Sequence, residues 1–180
     1  MRAMRAMAAV VAAVLVLTGC IDQDPYPLPK GPPGQSAFHA VALGEPVAEA
    51  VVFIEARRGQ RVEIISAEPI GLFEGASVEL YASPLVADAD GGGVVGDERV
   101  ELAGMVVGDV VDASAEPPEN QLAIVAEVTA SEPGRYVLSA IHLTYRINGA
   151  PQRDGEGIDV VVTVCADDPA PAVCDDDPGG

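Results

Sequence analysis

Few side chains in this 180-residue chain carry reactive chemistry. There are two histidines, His39 and His142, and three cysteines, Cys20, Cys165 and Cys174. Histidine is the side chain best suited to proton transfer or metal ligation near neutral pH. A hydrolase reading would need Ser139 or another Ser within hydrogen-bond reach of one of them, with an acid behind it; such partners need not be neighbours in sequence. No Gly-x-Ser-x-Gly elbow occurs. Both histidines read as strand surface residues, so no catalytic residue is assigned. Met105 is the one methionine after residue 7, too little thioether for a copper site. Cys165 and Cys174 are either a bridge or two metal ligands, and two thiols without nearby His are too few for zinc. The most suggestive acidic stretch is Asp88-Ala89-Asp90-Gly91-Gly92-Gly93. Calcium takes about six to eight oxygens, which an EF-hand loop supplies at fixed offsets. Counted from Asp88, the fifth position is Gly92 and the twelfth is Arg99, so two ligands fail. Asp97 and Glu98 are close enough to add oxygens in another geometry. No metal site is assigned; Asp88, Asp90, Asp97 and Glu98 are the calcium candidates, against a solvated Gly-rich loop. Phosphate cradles and dinucleotide fingerprints are absent, and nothing calls for a cofactor.

What must position these residues starts with a leader. Arg2 and Arg5 precede an unbroken apolar run over 7–17, with small residues at 18–19. A charged front, a short apolar centre and a small-residue cut site make a secretory signal, too short for a membrane span. Leu17-Thr18-Gly19-Cys20 then resembles the lipobox of bacterial lipoproteins. In that family the Cys sulfur receives a diacylglyceryl group, the peptide is cut before the Cys, and the new amino terminus is usually acylated. The resemblance implies a signal peptide over 1–19 and a lipidated (palmitate-type) Cys20. It places the body outside the cytoplasm, anchored to the cell membrane or outer membrane. An ordinary secreted protein with Cys20 left as a thiol is the alternative. With Cys20 lipidated, Cys165 and Cys174 form an even pair, and an oxidising compartment preserves a bridge between them. A loop of this size is worth roughly 2.5–3 kcal/mol on the chain-entropy model, spent on tying down the tail.

The formal charge is −18, with Lys30 the only lysine. Removing the leader takes two arginines and no acid, which makes the body more negative still. So acidic a body repels polyphosphate, which argues against nucleic acid. Anionic headgroups repel it too, so membrane attachment must come from acyl chains, two of which suffice.

Residues 20–35 are dense in Pro and Gly and read as an extended tether. From 36 to 165, short apolar stretches alternate with turn residues. Strands are expected over 37–43, 47–56, 61–66, 77–82, 99–107, 122–129, 136–147 and 158–165, with turns at 43–46, 58–60, 68–69, 91–93, 116–119, 131–134 and 148–149. Strands at this spacing, with no helical period, predict an antiparallel all-β domain. Leu122, Ile124, Ala126 and Val128 form the clearest inward face; Val125, Glu127 and Thr129 face solvent or a neighbour. Residues 166–180 read as a solvated acidic tail.

Glu132-Pro133-Gly134-Arg135-Tyr136-Val137-Leu138 resembles the lead-in to the sixth strand of immunoglobulin-like domains. That resemblance implies a sandwich of about seven to nine strands and a tyrosine corner, in which the Tyr hydroxyl returns to upstream backbone. Leu138 stands where antibody domains place the second core cysteine, and no Trp exists to pack on such a bridge. The same strand carries a phase conflict. Tyr136 and Leu138 share one face, whereas Ile141, Leu143, Tyr145 and Ile147 share the other. One extra residue restores the phase, so a β-bulge is expected near Ser139-Ala140.

The functional expectation is a non-enzymatic, lipid-anchored envelope module with an accessory or protein-interaction role. Its partners would be the membrane, through Cys20, and another envelope protein. The alternative is a small-ligand or calcium-binding lipoprotein that uses the loop at residues 88–98.

Overall fold

Period-two patterning becomes nine strands over the residues that the computed structural model describes, namely 36–89, 93–150, 153–154 and 158–170. They are β1 (Ser36–Ala42), β2 (Pro46–Glu55), β3 (Val62–Leu72), β4 (Ala76–Ala87), β5 (Gly93–Val95), β6 (Gln121–Ala130), β7 (Gly134–Ile147), β8 (Arg153–Asp154) and β9 (Ile158–Asp167). A single helical turn, α1 (Val107–Val110), lies between β5 and β6. The leader, the tether, Asp90 to Gly92 and the end of the acidic tail lie outside the described residues.

The strands form two sheets, one in the order β1-β9-β7-β3 with β8 also on β7, the other in the order β2-β6-β4-β5. This is an all-β sandwich, in which a β3-β7-β9 sheet faces a β2-β6-β4 sheet. The first sheet is not wholly antiparallel, because β1 pairs with β9 in parallel. Period two fixes which side chains point inward but not which neighbour a strand takes. Here the turn after β1 carries the chain from one sheet to the other. Gly44 sits in that turn at φ 78, and its N–H donates to the Ala130 carbonyl at 2.9 Å.

The core between the sheets is aliphatic. Leu122, Ile124 and Ala126 of β6 are fully buried, as are Ile141 and Leu143 of β7 and Ile64 of β3. Bulges keep these faces inward. On β7 the register against β3 passes from Ile70↔Ala140 to Gly71↔Leu138, so Ser139 is the extra residue. Pairing with β9 shifts at the same place. Leu138 before the bulge and Ile141 after it are both buried, as the phase conflict demands. The Ser139 hydroxyl donates to the Ile70 carbonyl at 3.0 Å and stabilises the irregular step. β2 uses the same device: its register shifts between Ala50 and Val52, and Val51 and Val52 are buried in succession.

The tyrosine corner forms. The Tyr136 hydroxyl donates to the Glu132 carbonyl at 2.7 Å, and the ring is buried. The turn between β3 and β4 presses on it. Gly75 has φ +85, and a Cβ there would meet the Tyr136 hydroxyl at 2.9 Å. Tyr136→Phe should cost about 1 kcal/mol, the net value of one neutral hydrogen bond, because water can reach the exposed Glu132 backbone in its place. Urea melts of the two proteins measure it, and unchanged stability would mean that the corner contributes nothing.

Two sequence expectations are corrected. Glu68-Pro69 is not a turn: both residues lie within β3, opposite His142 and Ile141. β3 is an edge strand, where Pro can face away from the ladder without losing a hydrogen bond. Residues 99–107 are not a continuous strand either. Val100 bridges to Ala82 on β4 and Val106 bridges to Glu63 on β3. Gly104, at φ 77, turns the chain between them. The stretch therefore crosses from one sheet to the other and closes that side of the sandwich, burying Leu102, Met105 and Val107 in the core. Its apolar residues are those of a plug, which a strand pattern resembles over a short window.

Candidate functional site

His39 comes from β1 in one sheet and Glu49 from β2 in the other, and Nε2 lies 3.2 Å from Glu49 Oε2. This contact clasps the side of the sandwich opposite the 99–107 crossing. A small cleft beside it is lined by Ala37, Glu49, Ala50, Val51, Val160, Val161 and Val162. Glu49 is the only ionisable group of that lining, which offers no hydroxyl or thiol for His39 to activate. Ser139 sits on β7 with its hydroxyl engaged by Ile70. His142 is half-buried on the outward side of β7, opposite Glu68. The geometry thus supports a clasp at His39, and it does not bring the two histidines and Ser139 together.

The acidic stretch becomes a hairpin. β4 and β5 pair antiparallel from Leu85↔Val95 to Ala87↔Gly93, so Gly93 belongs to a strand and not to the loop. Asp88, Asp97 and Glu98 are exposed around this hairpin, and Asp90 lies outside the described residues. Among the described residues, no three His, Cys, Asp or Glu side chains group as a metal cluster.

The outer face of the second sheet is more enclosed than the pattern of β6 alone predicts. Val125 points outward yet is buried, packed with Tyr81, Leu85 and Ala123 and covered by Ala50 and Phe53. Below this cluster Glu79 and Glu127 are directly opposite across β4 and β6. Like charges so placed destabilise a sheet. Arg99 answers them with a salt bridge to Glu127, and its guanidinium lies 4.3 Å from the Tyr81 ring centroid. The hydrogen bond to Glu127 holds the Arg99 pKa above its ordinary value. This trio joins residues up to 46 positions apart, and no local pattern announced it.

The outer face of the first sheet is different. Registers place Phe38, Thr163, Val137 and Leu72 in one row across β1, β9, β7 and β3. Directly paired residues share a face. Beside this row stand Val161 of β9, opposite Ser36, and Ile70 of β3, opposite Ala140, on either side of the Ser139 bulge. Phe38, Ile70 and Val161 are 45%, 47% and 42% exposed, and Leu72 is 72% exposed. At about 4.8 Å between strands, the strip spans roughly 14 Å from β1 to β3. Thr163, between Phe38 and Val137, is itself buried, so the exposed apolar area lies toward the two ends of the row and beside it. Clustered exposed apolar side chains mark a contact site more often than scattered single residues do. The strip was invisible in the sequence, because these residues come from three strands that become neighbours only in the folded sheet.

Cys165 sits half-buried on β9, between Ala40 of β1 and Arg135 of β7. Cys20 and Cys174 lie outside the described residues. No protein-family model matches the chain, and no curated protein or solved structure matches it either.

Proposed function

We propose that this protein is a lipid-anchored, extracytoplasmic β-sandwich module without catalytic activity, which serves an accessory or protein-interaction role in the cell envelope. The observation that carries the reading is the partly exposed apolar strip of Phe38, Ile70, Leu72 and Val161 on a sandwich whose interior, among the described residues, is filled with its own aliphatic side chains. A filled interior favours surface contact over enclosure of a small ligand, since ligand sites are concave. Anchoring rests on Leu17-Thr18-Gly19-Cys20 behind the charged, apolar leader. A bridge between Cys165 and Cys174 belongs to this reading, because an oxidising compartment would preserve it. The ligand or calcium reading keeps Asp88, Asp97 and Glu98 around the β4–β5 hairpin as its contact region, and calorimetric titration with calcium tests it.

Cys20→Ser tests the anchor. The wild-type chain should begin at residue 20, carry acyl mass and sediment with membranes. The variant should keep its fold but lose the acyl mass and leave the membrane fraction. Two acyl chains hold a protein on a bilayer, whereas the acidic body alone does not. A wild-type chain retaining Met1 and no acyl mass on Cys20 would overturn the anchoring, and with it the assigned compartment.

A further inference from the structure

We propose that the strip formed by Phe38, Val161, Ile70 and Leu72 docks a protein partner whose contact surface has an apolar centre and a rim rich in Lys and Arg. This rests on the module reading above and adds which face is used and what chemistry it recognises.

Three observations select the partner. First, the row from Phe38 to Leu72 is free of charge, with Thr163 and Val137 standing between them. In the row of Ile70 the residue beyond Ala140 is Asp159, which belongs to the acidic border. Second, its surroundings are acidic. Glu68 on β3 and Asp159 and Asp167 on β9 are exposed on the same side of the sheet, and exposed Glu74 follows Leu72 in the turn beyond β3. The basic groups on this face are fewer. Arg135 stands opposite Cys165, Arg146 is already joined to Glu63 at 3.3 Å, and His142 stands opposite Glu68. Third, the whole chain carries −18, so a second copy docked face to face would bring acid against acid over a charge-free centre. Complementary potential steers encounters and suppresses partners of like sign. A cationic rim around an apolar knob satisfies both parts of the surface; another copy of this chain satisfies only one.

Sheet-edge addition fits less well than docking on the face. β3, the edge bordering the strip, contains Pro69, which lacks the N–H that an added strand would need. Its other half is already bonded to the crossing segment, through Ile64 N–H to the Met105 carbonyl at 2.8 Å and Gly104 N–H to the Ile64 carbonyl at 2.9 Å.

The test is site-specific photocrosslinking in the full, membrane-anchored chain. A photoreactive residue replaces Leu72 in one protein and Val94, an exposed valine of the β4–β5 hairpin in the other sheet, in a second. The expected result is a protein adduct from position 72 whose captured peptide contains Lys or Arg beside apolar residues. Its yield should fall about fivefold or more when Phe38→Asp is added, since a desolvated aromatic anchor dominates such contacts. It should also fall when salt is raised from about 0.1 M to about 1 M, which shrinks the Debye length from about 10 Å to about 3 Å. Equal melting temperatures for the probe proteins with and without Phe38→Asp show that the fold is intact. An adduct at twice the chain mass, an adduct to lipid alone, or a captured peptide without basic residues would overturn the proposal. Capture from position 94 and not from 72 would remove this face while leaving the module reading standing. Capture from neither position would remove both.

Discussion

Ile141→Ala should cost about 3–4 kcal/mol of stability and lower the melting temperature by roughly 10 °C. Ile141 is fully buried on β7, one step past the Ser139 bulge, where the inward face resumes. Removing its distal carbons loses transfer free energy and leaves a cavity that the flanking Leu138 and Leu143, themselves buried, cannot fill without shifting β7. Ile70→Ala supplies the contrast. Ile70 pairs with Ala140, the immediate neighbour of Ile141, but it points outward and is 47% exposed. That substitution should stay within about 0.5–1 kcal/mol. Thermal and urea melts of the two variants decide the point. Equal losses would mean that the phase change at Ser139 does not divide inside from outside.

Gly71→Ala should destabilise by about 2–3 kcal/mol. An alanine in a strand normally stabilises relative to glycine, by roughly 0.5–1 kcal/mol, through lower chain entropy in the unfolded state. Here a Cβ would press on the Val137 carbonyl oxygen and stand 2.7 Å from the end of the Phe73 ring. The register shift between Ile70 and Gly71 brings the backbone of β3 this close to β7. The sign of the change is therefore the readout. A more stable Gly71→Ala protein would show that the two backbones do not approach in this way. The same substitution should slacken the β3 end of the apolar strip, where Leu72 follows directly.

Much of the sandwich is readable because its causes are local. Leu122, Ile124, Ala126 and Val128 alternate with period two, and all four are buried. The conflict between Tyr136–Leu138 and Ile141–Ile147 demanded an extra residue, and Ser139 is that residue. Asn148-Gly149 makes the expected turn with both residues at positive φ, closed by Arg61 N–H donating to Asn148 Oδ1 at 2.8 Å. Where a pattern had two physical readings, local evidence misled. Pro69 looked like a turn because Pro cannot join a ladder on both sides, yet an edge strand asks for only one. Residues 99–107 had the apolar content of a strand, but their bridges to Ala82 and Glu63 lie on different sheets.

What the sequence determined by itself was the all-β class, the inward faces of the long strands, the tyrosine corner, the bulge at Ser139 and the acidity of the surface. The class, the faces and the bulge follow from a two-residue repeat acting over a dozen positions or fewer, and the acidity follows from composition. The tyrosine corner was implied by the resemblance of residues 132–138 to immunoglobulin-like domains. Tertiary structure alone decided that β1 runs parallel beside β9, that His39 meets Glu49 and that Arg99 settles Glu127 over Tyr81. It also gathered Phe38, Ile70, Leu72 and Val161 into one face. Those outcomes depend on which strands become neighbours, and that choice is made by burial summed over both sheets, which no single stretch of chain contains.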